Sequence, residues 1–163
     1  MMNFRVVQAA YYARRYDAAI RCGRTAIDLA PDFQPPYAYL ASALLATGHK
    51  EDAWAMTQKA KEFGRGLPFC EGGFGYIAGT LGHTAEARDV IADLTARRDR
   101  SYGPALPIAW TWLGLGDVDS CLQWLQTALD EDEPYLAAAA VSPIYDQLRS
   151  KPIFRRLIGV CGF

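Results

Sequence analysis

The chain has 163 residues, 51% of them hydrophobic, with 17 basic and 18 acidic side chains and a formal net charge of −1. That length can bury a core of ordinary size, and the composition excludes a disordered polyelectrolyte or a polyanion-binding protein. The longest apolar runs, such as "PYLAAAAVSPI", are too short to span a bilayer, and "MMNFRVVQAAYYARRYD" lacks a signal peptide's apolar core. The expected location is therefore the cytoplasm, with neither membrane nor nucleic acid as a partner.

In chain order the predicted elements are all helices. A first pair covers residues 3–14 and 16–29. Its second member, "YDAAIRCGRTAIDL", places Ala19, Ile20, Gly23, Ala26 and Ile27 on one stripe, and "APD" at 30–32 closes it because proline cannot continue a helix. Pairs at 36–47 and 50–63, then at 69–81 and 84–98, follow. The last pair covers 104–115 and 118–130, where "VDSCLQWLQTAL" aligns Cys121, Leu122, Leu125, Ala128 and Leu129. Beyond residue 133 the chain reads as three short helical pieces. Ser142-Pro143 and Ser150-Lys151-Pro152 have the form of N-caps with a first-turn proline, and Ile153, Phe154, Leu157 and Ile158 make an apolar stripe.

Three columns recur at a step of 34 residues: Ala19, Ala53, Ala87 and Cys121; Ala26, Ala60, Leu94 and Ala128; and Gly48, Gly82 and Gly116, with Arg14 in the matching place. Small residues suit close helix crossings, and the glycines fall where one helix ends and the next begins. This pattern resembles the tetratricopeptide repeat (TPR) family, whose unit is two antiparallel helices in 34 residues. The best unit, "QPPYAYLASALLATGHKEDAWAMTQKAKEFGRGL", has Tyr37, Leu40, Ala41, Leu44, Ala53 and Ala60 in the family's places, and the fourth keeps Ile108, Ala109, Trp112, Leu125 and Ala128. Asn3, Glu71 and Ala105 stand where the family favours tryptophan, and the second and third units lack the closing proline. The phrase "SPIYDQLRSKPIFRRLI" is similar to the tail of bacterial regulatory and signalling proteins whose TPR units follow another domain.

The resemblance implies an all-α fold: a right-handed superhelical solenoid of four TPR hairpins at about 1–33, 34–67, 68–101 and 102–133, with a helical cap over 134–163. In that register the glycine-rich stretch "EGGFGYIAGTLG" at 71–82 is a helix rather than a phosphate loop. No strand precedes it, and neither the Walker G-K-[ST] nor the kinase V-A-I-K, H-R-D and D-F-G elements are present. Gly72, Gly73, Gly75 and Gly79 each cost about 1 kcal/mol relative to alanine in a helix interior. Close packing, bending or a ligand should account for them.

The family's first helices line a concave groove. Carried over by position, the groove residues are Phe4, Gln8, Tyr11, Tyr12, Ala38, Ser42, Leu45, Phe69, Tyr76, Thr80, Leu106, Trp110 and Leu113, with Gly72, Gly79 and Gly103 leaving room. The function this implies is a non-catalytic scaffold for protein–protein interaction, holding a peptide or helix of a partner by apolar and aromatic burial that depends little on salt. The alternative is a regulatory domain whose groove takes a small ligand.

No pattern points to an enzyme, a metal or another cofactor. Cys22, Cys70, Cys121 and Cys161 lack zinc or CxxC spacing and read as reduced, buried thiols. His49 and His83 read as solvated turn residues. Arg97, Arg98 and Arg100, interspersed with Asp93 and Asp99, read as a solvated helix end. The run Asp130–Glu133 reads as a solvated acidic turn, with Arg155 and Arg156 or a partner as the other possibility. The first helix offers Phe4, Val7, Tyr11 and Tyr12 with nothing before it to cover them. A second copy of the chain, packed about a two-fold axis through this helix, or an upstream domain is expected there.

Overall fold

The computed structural model describes residues 4–98 and 104–160, and Arg100, Gly103 and Cys161 lie outside the described residues. The described residues form helices and no strand. Eight α-helices run in order, α1 Phe4–Tyr12, α2 Tyr16–Leu29, α3 Gln34–Ala46, α4 Lys50–Phe63, α5 Pro68–Leu81, α6 Thr84–Ala96, α7 Ala105–Gly114 and α8 Val118–Asp130. Two 3-10 segments, Pro134–Ala140 and Pro143–Leu148, lead to α9, Pro152–Val160. The eight α-helices fall where the apolar spacing places them, with no end differing by more than two residues. No helix is long and apolar enough to cross a membrane.

The recurring columns have a physical counterpart at every position described. Ala19, Ala53, Ala87 and Cys121 are each 0% exposed, and Ala26, Ala60, Leu94 and Ala128 are buried too. Gly48, Gly82 and Gly116 have φ of +83°, +91° and +80°, and Arg14, in the same place, has φ +57°. Each of these four residues is the left-handed step that turns the chain from one helix to the next. The following N–H then reaches back over that step in one repeated bond: Arg15 to Ala10, His49 to Leu44, His83 to Ala78 and Asp117 to Trp112, at 2.9–3.0 Å.

Packing follows the same alternation. Each even-numbered helix packs on the odd-numbered helices before and after it, and α1, α3, α5 and α7 also meet in succession. The small residues Ala41, Gly75 and Ala109 lie 34 residues apart in these odd helices and are all buried, with Val7 in the matching place of α1. The small-residue places of both helix types are therefore interior.

The glycine-rich stretch is α5, and its glycines divide by face. Gly72, Gly75 and Gly79 share the side turned to α7. A Cβ on Gly72 would come within 2.5 Å of Pro107 Cα, one on Gly75 within 2.4 Å of Thr111 Oγ1, and one on Gly79 within 2.7 Å of the Gly114 carbonyl carbon. Gly114 of α7 returns the contact, since its Cβ would meet the Tyr76 carbonyl oxygen at 2.2 Å. The two backbones approach so closely that only hydrogen fits between them. Gly73 faces open space. Close packing, not a phosphate, accounts for three of the four.

The tail joins the core of the last helices. Leu136, Ala139, Tyr145, Leu148, Phe154 and Leu157 share one apolar cluster with Leu106, Ala109 and Leu113 of α7 and with Cys121, Leu122, Leu125 and Ala128 of α8. Three short pieces are present as expected, but two of them are 3-10 rather than α, and the caps differ. Ser142 occupies the N-cap position without a side-chain cap bond, and its carbonyl accepts from Arg149 Nη2 at 3.1 Å. Before α9 it is the Lys151 carbonyl, not Ser150, that accepts the first helical bond, from the Arg155 N–H.

Candidate functional site

Helices α1, α3 and α5, the starts of α2 and α4, and the tail line an open trough of about 370 Å³. Its lining comprises Tyr11 of α1, Ser42, Leu45 and Ala46 of α3, and Tyr76, Thr80 and Leu81 of α5. Tyr16 and Lys50, the first residues of α2 and α4, and Pro143 and Ile144 of the tail complete it. Burial pushes the Tyr11 phenol well up from its ordinary value, and the neighbouring Tyr76 adds to the effect. Tyr76 is shifted the same way by burial. Both phenols are neutral at ordinary pH and act as hydrogen-bonding, largely apolar walls.

Of the expected groove residues, Tyr11, Ser42, Leu45, Tyr76 and Thr80 come together here. The others do not. Phe4 packs edge-on against Phe33 with ring centroids 5.7 Å apart. Gln8 donates to the Tyr39 hydroxyl at 2.5 Å. Tyr12 lies against Tyr11 and Tyr39. Phe69 packs on Trp110 and on Tyr135 of the tail, at 5.5 and 4.7 Å. Leu106 and Leu113 are 1% and 2% exposed, inside the cluster formed with the tail. Trp110 Nε1 donates to the Tyr145 hydroxyl at 2.5 Å. The α7 end of the expected groove is thus occupied by the chain's own C-terminal segment.

The trough residues outside the expected set are Tyr16, Lys50, Ala46, Leu81, Pro143 and Ile144. One signal for the first two was present: they lie 34 positions apart. The tail wall has no such signal, because it arrives from outside the periodic region.

Beside the trough, and sharing Tyr16 with it, lies a second open cleft of about 390 Å³ between Arg14, Arg15, Asp17, Ala18, Arg21 and Thr47. Arg14 of this cleft pairs with Asp146 of the tail, and Arg149 pairs with the same carboxylate. Burial alone would push the Asp146 carboxyl up. Hydrogen bonds from Arg14 and Arg149 outweigh it and hold the carboxyl below the ordinary range.

Several expected turn residues have partners of their own. His83 stays 38% exposed at its turn, and its ring stacks on Trp54 at 4.0 Å and 7°. His49 meets the Thr47 hydroxyl at 2.9 Å. Arg97 pairs with Glu71 and Asp93, and Arg98 pairs with Glu131 and lies over the Trp124 ring. The acidic run is not wholly solvated either. Glu133 is 5% exposed, and its carboxylate accepts from the Ala105 and Leu106 N–H groups at 2.9 and 3.2 Å. It therefore caps α7 from 27 and 28 positions away, satisfying donors that helix has no internal partner for. Burial still pushes its carboxyl up.

Burial also raises two thiols, Cys70 to about 11 and Cys121 to about 12. Cys22 is half-buried. Among the described residues no three His, Cys, Asp or Glu side chains are grouped to hold a metal ion. Of the α1 residues expected to need cover, Val7 and Tyr11 are 0% and 5% exposed within the chain's own core and offer nothing to a second copy, while Phe4 and Tyr12 are half-buried. No protein-family model matches the chain, and no curated protein is significantly similar to it.

Proposed function

We propose that this chain is a non-catalytic binding module of the tetratricopeptide type, with four helical hairpins and a C-terminal cap, and that its trough holds a segment of a partner protein. The observation that carries the reading is the recurrence itself. Left-handed turns at residues 14, 48, 82 and 116, a back-reaching hydrogen bond from the residue after each and a fully buried small residue five positions on recur together, and α1, α3 and α5, which these turns close, line the trough. Phenol, hydroxyl and apolar side chains there suit an extended or helical segment. The chemistry of the buried groups agrees with a non-catalytic role: the phenols of Tyr11 and Tyr76 and the thiols of Cys70 and Cys121 are all shifted away from ionisation.

The test is an affinity capture from the native host with the wild type and two trough variants. Thr80→Trp fills the trough from an exposed helix position, and Leu45→Arg charges its side. Partners enriched on the wild type and absent from both variants support the reading. An identical set on all three proteins overturns it. A second reading, a regulatory site for a small ligand, draws on the tail wall: Pro143 and Ile144 close the trough to a volume of about 370 Å³, within the usual range for small-molecule sites, about 300–1,000 Å³. A thermal shift with metabolites, abolished by Thr80→Trp, would favour that reading.

A further inference from the structure

We infer that the segment this trough accepts is acidic, placing an apolar or aromatic side chain in the trough and carboxylates on the cations beside it. The inference rests on the binding reading above and gives its partner a chemistry.

The chain's own tail displays that chemistry. Ile144 walls the trough, and two residues later the Asp146 carboxylate is gripped by Arg14 through Nη2 at 2.5 Å and Nε at 3.1 Å. An apolar side chain and a carboxylate from one short stretch thus already occupy the edge of the trough and a guanidinium of the adjoining cleft. The other cations have no such acceptor. Arg15 and Arg21 line the cleft that shares Tyr16 with the trough, Lys50 lines the trough itself, and none of the three forms an ion pair among the described residues. Asp17 is the single acidic residue lining either space. Glu51 and Asp52 follow Lys50 on α4 but line neither. The surplus is positive, so an acidic segment is steered in and a basic one repelled. The apolar contact supplies attraction that tolerates many sequences, and the cations select among them. This reverses the expectation of salt-independent binding.

The test is selection of random dodecapeptides on the immobilised full chain, then fluorescence polarisation of the selected peptides. The expected peptides carry Asp or Glu next to Leu, Ile, Phe or Trp, and their affinity falls about tenfold between about 50 and 500 mM NaCl. Arg15→Glu with Arg21→Glu should weaken them at least about tenfold with circular dichroism unchanged. Asp146→Asn frees Arg14 and should tighten them by about threefold, a gain that mere destabilisation does not produce. Uncharged, salt-insensitive peptides lost only in Thr80→Trp would overturn the acidic preference and leave the binding reading in place. If no selected peptide responds to Thr80→Trp or to the arginine changes, both are overturned.

Discussion

Arg14 and Asp146, 132 positions apart, meet in a two-pronged ion pair that ties the first inter-helix turn to the C-terminal tail. Both side chains are about two-fifths exposed, at 42% and 43%, so the pair contributes on the order of 0.2–1 kcal/mol. Arg14 also holds φ +57°, a left-handed conformation that costs a non-glycine residue about 1–2 kcal/mol. The two effects are similar in size and opposite in sign. Arg14→Gly should therefore leave the thermal midpoint within about 3 °C of wild type, while Asp146→Ala, which relieves no strain, should lower it by about 1–4 °C. Calorimetry of the three proteins checks this. A larger drop for Arg14→Gly than for Asp146→Ala would show the assignment of strain to be wrong.

The glycines of α5 make a sharper contrast. Gly73→Ala meets nothing within 4 Å and should stabilise by about 0.4–1 kcal/mol, through the better helix former and the stiffer unfolded chain. Gly72→Ala and Gly75→Ala drive a methyl into Pro107 and Thr111, and should each destabilise by about 1–3 kcal/mol or more despite the same gain in propensity. Urea denaturation of the three variants reads the difference, and equal effects at the three positions would contradict the face assignment.

Acid titration should separate two carboxylates. Burial raises the Glu133 carboxyl, so its folded form favours the proton. Its stabilising contribution is complete below the unfolded value of about 4.3 and is lost as pH rises through the folded value. For Asp146, held below the ordinary range by Arg14 and Arg149, the contribution is present above about 3.9 and lost as pH falls through the folded value. From about pH 7 to about 4.3, wild type should gain stability relative to Glu133→Gln. Its margin over Asp146→Asn should stay level there and shrink only below about pH 3.9. A Glu133 margin that shrinks on acidification, or an Asp146 margin that grows below about pH 3.9, would refute the sign assigned to that carboxyl.

Thiol labelling offers a third comparison. With the Cys70 thiol raised to about 11 and that of Cys121 to about 12, about one molecule in a thousand or fewer carries either thiolate at pH 8. Peptide mapping after brief iodoacetamide treatment should find Cys22 modified ahead of Cys70 and Cys121, which react only after denaturant is added. Rapid labelling of Cys121 in the native protein would mean that the cluster under the tail opens readily.

The helices and their turns were legible because they obey a period. Burial of Ala19, Ala53, Ala87 and Cys121, and the positive φ at Gly48, Gly82 and Gly116, are local requirements repeated at one spacing, and a single column exposes them. The α5–α7 contact was half legible. The glycines announced that something came close, but not that it would be Pro107, Thr111 and Gly114. The trough was read through five side chains and overextended at its α7 end, because Leu106, Trp110 and Leu113 are covered by a tail that carries no repeat. Glu133 capping α7, Arg14 reaching Asp146 and His83 stacking on Trp54 are pairings of side chains distant in sequence, which periodicity does not encode.

The tail's reach back to the first turn also sets a length. Stacked helices are spaced about 8–10 Å apart, so inserting one more helical pair would carry Asp146 away from Arg14 by at least that distance, well beyond the reach of an ion pair. Arrays built of equal units ordinarily grow or shrink by duplication with little penalty. Here such a change would also break the tie between the first inter-helix turn and the C-terminal tail.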